Sequence, residues 1–158
     1  MKALISIIIP TYNRAHLIGA TLDSILAQTY THWECLVIDD GSSDSTSVLM
    51  KAYLDKDRRF SYYQRPEHLP KGANACRNYG FEKSKGEYIN WFDSDDVMEP
   101  TKLELQLKAL ELHEGAPYCI CQTAWLEKDT GALIGLRSKS ITSEHRMEDY
   151  ILYNIFWF

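Results

Sequence analysis

The run Tyr88-Ile-Asn-Trp-Phe-Asp-Ser-Asp-Asp-Val97 organises the reading of the whole chain. Its apolar first half predicts a buried strand, and it ends abruptly in three carboxylates, Asp93, Asp95 and Asp96. Three like charges within four residues oppose folding unless something positive sits among them. In extended backbone Asp93 and Asp95 project to the same side, about 7 Å apart at Cα, a spacing that lets two carboxylates share one hard cation. Carboxylates without His or Cys beside them suit Mg²⁺ or Mn²⁺ rather than Zn²⁺. The competing reading is a solvated acidic turn that caps a helix beginning near Pro100.

Upstream, the same grammar repeats. Leu4-Ile-Ser-Ile-Ile-Ile9 is a near-continuous β-branched run, the pattern of a parallel strand covered on both faces, and Pro10 is expected to stop its ladder. The polar turn Thr11-Tyr-Asn-Arg14 leads into a predicted helix from His16 to Gln28, with Ile18, Leu22, Ile25 and Leu26 on its buried stripe. Trp33–Ile38 predicts a second buried strand running into Asp39-Asp-Gly-Ser-Ser-Asp44, where Gly41 permits a tight turn. Ser43 or Asp44 can then cap a helix over about Ser45–Leu54. Phe60–Gln64 predicts a short strand near a sheet edge. It is followed by the Pro-rich loop Arg65–Gly72 and a helix over Ala73–Ser84.

Downstream, Thr101–Glu114 predicts a helix with Leu103, Leu107 and Leu110 on one face. Pro117–Trp125 predicts a strand, Asp129-Thr-Gly131 a turn, Ala132–Leu136 a return strand and Ser143–Tyr153 a helix. Strand and helix alternate through residue 114, which gives an α/β fold: an open, mainly parallel sheet flanked by helices. Ligands of such sheets bind beyond the carboxyl ends of the strands. Three polar clusters fall there, Pro10–Arg14, Asp39–Asp44 and Asp93–Asp96, and together they predict one site.

Composition narrows the partners. The chain has 158 residues, 45% hydrophobic and 25% charged, with a formal charge of −5 and no basic stripe, which excludes nucleic acid as a partner. An acidic protein that holds a polyphosphate needs a metal to offset repulsion. Cys35, Cys76, Cys119 and Cys121 form no CxxC pair and read as buried thiols of a reducing compartment, with Cys119 and Cys121 facing the core. No run reads as a signal peptide or a membrane span, so a cytoplasmic protein is expected.

Four stretches together resemble the large inverting glycosyltransferase family known as family 2, with the GT-A fold. They are Ser6-Ile-Ile-Ile-Pro-Thr-Tyr-Asn-Arg14, Val37-Ile-Asp-Asp-Gly-Ser-Ser-Asp44, Gly72-Ala-Asn-Ala-Cys-Arg-Asn-Tyr-Gly80 and Phe92-Asp-Ser-Asp-Asp96, in family order and at family-like spacing. The resemblance implies a nucleotide-diphosphate sugar donor, in the first instance a UDP-sugar. The turn Pro10, Thr11, Tyr12 and Asn13 would border base and ribose, and Asp39 or Asp40 would accept the uracil N3–H in a charge-assisted bond. The alternative for both aspartates is turn formation and helix capping. Arg77 could reach a base carbonyl or a phosphate with its planar fork. Lys71 could help hold phosphate or lie on a solvated loop.

Asp93-Ser-Asp-Asp96 matches the family's DxD-type metal motif. Asp95 is the expected direct ligand of Mn²⁺ or Mg²⁺, Asp93 would serve ribose or the metal's water shell, Asp96 would assist, and Ser94 would join the nucleotide-sugar contacts. Residues 1–115 are then the nucleotide-sugar-binding region and 116–158 the start of an acceptor-binding region, within one structural domain overall. Inverting transfer also needs a general base on the acceptor side. Only 62 residues follow Asp96, so that base is expected beyond Phe158, with Glu148 and Asp149 as the candidates within the chain. The apolar ending Ile151–Phe158 is expected to continue into more core, which predicts a truncated form.

The expected acceptor is a glycan or a lipid-linked saccharide. Peripheral contact with the inner membrane face, through the part not present here, is left open. Two other functions stand beside this one: a non-catalytic nucleotide-sugar-binding fragment, and a metal-dependent nucleotidyltransferase or phosphatase.

Overall fold

The computed structural model describes residues 2–113, 116–121, 123–127, 130 and 132–136. The predicted helix over 143–153, the apolar ending 151–158, and Glu148 and Asp149 lie outside them. The chain divides into two compact units, Met1–Leu107 and Lys108–Phe158.

In the first unit the strands are β1 (Ile5–Thr11), β2 (Trp33–Asp39), β3 (Phe60–Gln64) and β4 (Tyr88–Trp91). All are parallel, in the order β3-β2-β1-β4. The helices are α1 (Ile18–Leu26), α2 (Thr46–Lys56), α3 (Ala73–Lys83) and α4 (Lys102–Leu112), the last continuing past the unit boundary. Successive residues of β1 and β2 alternate between two apolar layers. Ile5, Ile7, Ile9, Cys35 and Val37 pack with Ile18, Leu22 and Ile25 of α1, Met50 of α2 and Leu103 of α4. Ile8, Leu36 and Ile38 pack with Cys76 of α3. Burial on both faces is why Ile5–Ile9 is apolar without alternation.

β1–α1–β2 and β2–α2–β3 step in one direction, whereas α3 carries the chain back across the sheet to place β4 on the far side of β1. Right-handed crossovers put α3 on the opposite face for that reason. The reversal leaves a crevice at the carboxyl ends of β1, β2 and β4.

Two expectations about the strands change. Pro10 does not stop the ladder, for β1 runs through it with Pro10 opposite Ile38 and Thr11 opposite Asp39. The Ile8 carbonyl turns toward β4, where it accepts from the Phe92 N–H at 3.1 Å. Pro10, two residues on, has the same parity, so its missing N–H faces the side where β4 has already ended at the Ile8–Trp91 pair. The run from Tyr88 is also not a deeply buried strand. Among the described residues β4 pairs only with β1, over four residues, and Trp91 is exposed. The strand stops at Trp91, so Asp93 and Asp95 sit on a turn rather than on alternating strand positions, with the Asp96 N–H donating to the Asp93 carbonyl at 3.3 Å.

α3 approaches the sheet closely because of Gly80. A Cβ there would stand 2.5 Å from Ile8 Cγ2 and 3.1 Å from Ile38 Cγ1. Gly80→Ala is therefore expected to destabilise the protein by about 1–3 kcal/mol through overpacking. Urea unfolding measures it, and an unchanged midpoint would show that α3 has slack.

In the second unit β5 (Ala124–Leu126) pairs antiparallel with β6 (Leu133–Leu136). The return strand is as expected. The strand predicted from Pro117 begins only at Ala124, and the thiols predicted for the core are not there: Cys119 is half-buried and Cys121 exposed. Cys35 and Cys76 are buried as expected. No helix among the described residues is long and apolar enough to cross a membrane.

Candidate active site

The crevice at the carboxyl edge holds a cleft of about 330 Å³, lined by Pro10 and Thr11 of β1, Tyr12 just after it, Asp40 after β2, Cys76 and Arg77 on α3, and Asp93–Asp95 after β4. Arg14 and Ala73 complete its wall. The three polar clusters picked out in the sequence thus meet in one place, but not every residue in them faces it.

At the end of β1 the Thr11 carbonyl accepts from the Asp40 N–H at 2.9 Å, which ties the two loops at their roots. Thr11 Oγ1 is buried without a hydrogen-bond partner among the described residues, on a residue that lines the cleft. An unmet hydroxyl of that kind carries a desolvation cost that a polar ligand can relieve. Tyr12 is half-exposed at the mouth. Asn13, expected at the base and ribose, does not line the cleft. It adopts a left-handed backbone at φ 52°, a conformation that Asn tolerates better than most residues. Its N–H donates to Ser42 Oγ and its Oδ1 accepts from the Ser43 N–H, both at 2.8 Å. Asp44 braces the same junction, accepting from the Ala15 and Thr46 N–H groups at 3.0 Å. The Thr46 hydroxyl, with those backbone bonds, holds its carboxyl below the usual range.

The two adjacent aspartates have different surroundings. Asp39 is fully buried. Its Oδ1 accepts from Gly41 N–H at 3.0 Å and Ser42 N–H at 2.7 Å, with Gly41 at φ 90° closing the turn. Its Oδ2 accepts from the Tyr62 hydroxyl and from Gln64 Nε2, the latter at 3.3 Å. Burial and the bond to Asp39 push the Tyr62 phenol well above its ordinary value, so it serves as a donor. Asp39 offers a ligand no surface and acts as the turn-forming residue. Asp40 lines the cleft, accepting from Arg65 Nε on Oδ1 and from Gly72 N–H at 2.8 Å on Oδ2. Arg65 and Tyr62, which the sequence reading passed over, are the supports of this pair.

Arg77 reaches from α3 to Asp93, NH2 to Oδ1 at 2.6 Å, and its NH1 donates to Asn74 Oδ1 at 3.1 Å. Arg14, which the sequence places in the Pro10–Arg14 cluster without a role, approaches Asp95 at 3.8 Å between exposed side chains. Ser94, between Asp93 and Asp95 in the chain, is buried and lines the cleft. Burial pushes the Cys76 thiol up to about 11, so it is a neutral wall of the cleft rather than a nucleophile. Lys71 is exposed and Asp96 does not line the cleft. Among the described residues no three carboxylate, imidazole or thiolate groups are gathered to hold a metal, and of the expected trio Asp93 and Asp95 line the cleft while Asp96 does not. Two hard oxygen donors in a cleft fit a divalent cation that completes its shell from water and substrate oxygens.

Residues 6–155 match glycosyl transferase family 2. The chain belongs to that family. An uncharacterized glycosyltransferase of Rickettsia bellii is 43% identical over 109 residues, 69% of this chain and 15% of that protein. The UDP-Glc:alpha-D-GlcNAc-diphosphoundecaprenol beta-1,3-glucosyltransferase WfgD of Escherichia coli is 38% identical over 107 residues, 68% of this chain and 41% of that protein. In the solved structures, S. aureus TarS 1-349 in complex with UDP-GlcNAc superposes with a TM-score of 0.63 at 28% identity, over 72% of this chain and 32% of that one. The fold is the GT-A fold expected from the four motifs. The chain spans less than half the length of these relatives.

Proposed function

We propose that the cleft binds a nucleotide-diphosphate sugar, a UDP-sugar in the first instance, and that this chain is the donor-binding part of an inverting, metal-dependent glycosyltransferase. The observation that carries the reading is the convergence of Thr11, Asp40, Arg77, Asp93 and Asp95 on one cleft at the point where the strand order reverses. The names of the relatives support it, since WfgD takes UDP-Glc to a diphosphoundecaprenol-linked sugar and TarS was solved with UDP-GlcNAc. Family membership sets aside the phosphatase and nucleotidyltransferase alternatives.

In this reading Asp40 accepts the imide N–H of the base, while Thr11 and Tyr12 border base and ribose. Arg77 transfers its fork from Asp93 to the diphosphate, which frees that carboxylate. A divalent ion held by Asp93 and Asp95 would stabilise, as a Lewis acid, the charge gathering on the departing diphosphate. The acceptor, a glycan or lipid-linked saccharide at the cytoplasmic membrane face, attacks the anomeric carbon from the side opposite the diphosphate. Its hydroxyl proton passes to a base outside the donor cleft. Residues 1–115 then form the donor region and 116–158 the start of the acceptor region.

Calorimetry with UDP and CDP in Mn²⁺ tests the base assignment. CDP lacks the N3 proton, and losing a charge-assisted hydrogen bond costs roughly 1.5–3 kcal/mol, about one to two decades of affinity. UDP should bind tighter by that factor, and Asp40→Asn should collapse the difference. Equal affinities in the wild type would reject the assignment, and a preference for GDP would redirect it to guanine.

A further inference from the structure

Asp40 is held by an arrangement that the motifs do not contain. Arg65 lies at the end of β3, and its side chain is only 6% exposed while that of Asp40 is 13% exposed. Beyond the ion pair to Asp40 Oδ1, Arg65 NH1 donates to the Pro66 carbonyl at 2.7 Å and the Leu69 carbonyl at 2.5 Å. Its own N–H donates to the Asp39 carbonyl at 2.8 Å. The other oxygen of Asp40 receives the Gly72 N–H at 2.8 Å, and the Gly72 carbonyl takes the Cys76 N–H at 3.2 Å in the first turn of α3. One guanidinium therefore closes the 66–72 loop on itself and fastens it to the cleft carboxylate, which in turn fastens the start of the helix that carries Arg77.

We propose that Arg65 is a positioning residue for nucleotide recognition, fixing Asp40 and the start of α3 in the geometry that reads the base. The proposal rests on Asp40 being the base acceptor. Each Asp40 oxygen spends one lone-pair direction on these internal donors, which leaves the other directions aimed by the loop rather than by rotamer chance. A planar fork can serve Asp40 and two carbonyls at once. An ammonium on a flexible stem keeps the charge but not that fixed geometry.

The test is Arg65→Lys, with Arg65→Gln as a second variant, read by amide hydrogen exchange and by UDP and CDP calorimetry in Mn²⁺. In Arg65→Lys the Gly72 amide is expected to exchange about tenfold faster or more, with Ile7 and Ile9 still protected. The UDP-to-CDP affinity ratio is expected to fall about tenfold. In an Asp40→Asn background the same substitution should leave that ratio unmoved, because the effect travels through Asp40. Unchanged Gly72 exchange in both variants overturns the proposal. So does faster Gly72 exchange with an undiminished ratio, which would make Arg65 a structural tie only. A wild-type chain that binds UDP and CDP alike removes the base reading itself, while the Gly72 rate still decides whether Arg65 holds Asp40.

Discussion

Asp39→Ala is expected to destabilise the chain by about 2–4 kcal/mol, because a buried network of neutral donors loses its shared acceptor. The substitution removes the shared acceptor of two backbone N–H groups, the Tyr62 hydroxyl and the Gln64 amide from a fully buried position, although Gly41 and Gln64 themselves reach the surface. An unsatisfied buried donor costs about 1–3 kcal/mol, and relaxation recovers part of the sum. The isosteric Asp39→Asn keeps an acceptor for the turn, and Tyr62 can reorient its proton, so a much smaller loss is expected. Asp39→Asn should also leave the UDP-to-CDP ratio intact, in contrast to Asp40→Asn. Denaturant unfolding of the three variants, with nucleotide titration of each, measures both quantities. A loss under about 1 kcal/mol for Asp39→Ala would contradict the reading of Asp39 as the turn's acceptor.

Strand parity alone separates the two aspartates. Asp39 shares parity with Cys35 and Val37, which face α1 and α2, whereas Asp40 shares it with Leu36 and Ile38, which face α3. Carrying the strand alternation one residue into the turn separates them. Other features were legible for similarly local reasons. The Ile5–Ile9 run announces a strand buried on both faces, and the α1 stripe announces the layer that covers one of them. The cost of Pro10 depends on which side its missing N–H faces, and that is set by where β4 ends, which no local pattern gives. The apolar residues of β4 likewise do not reveal its place in the strand order. Arg65 and Asp40 are 25 residues apart and meet only through the path of the 66–72 loop, and no period or motif encodes that path. The left-handed turn of Asn13 and its bonds to Ser42 and Ser43 join two loops, a role that depends on the path of both loops and that no local pattern announces.

The metal prediction has the largest expected effect on binding. The cleft carries the carboxylates of Asp40, Asp93 and Asp95, and its guanidinium groups Arg14 and Arg77 are already paired with two of them. A diphosphate entering without a cation would have to take those guanidiniums and leave Asp93 and Asp95 facing its own negative oxygens. Two like charges 4 Å apart repel by about 4 kcal/mol at an effective dielectric of 20, and by about 1 kcal/mol in water. Asp93 and Asp95 are about half exposed, so the cost lies between these limits. UDP is therefore expected to bind about a hundredfold more tightly in Mn²⁺ than in excess chelator, a difference of about 2.7 kcal/mol. Asp95→Ala should lower affinity in Mn²⁺. In chelator the same variant should bind UDP at least as well as the wild type, because it has lost a repulsive charge and released Arg14. That crossing of the two titrations separates a metal ligand from a residue that merely shapes the cleft, whose loss would weaken binding alike in both conditions. Calorimetric titration of UDP into the wild type and Asp95→Ala, each with Mn²⁺ and with chelator, measures all four affinities. Equal wild-type affinity with and without the cation would sink the assignment of Asp93 and Asp95, and the two arginines would then be the groups that hold the diphosphate.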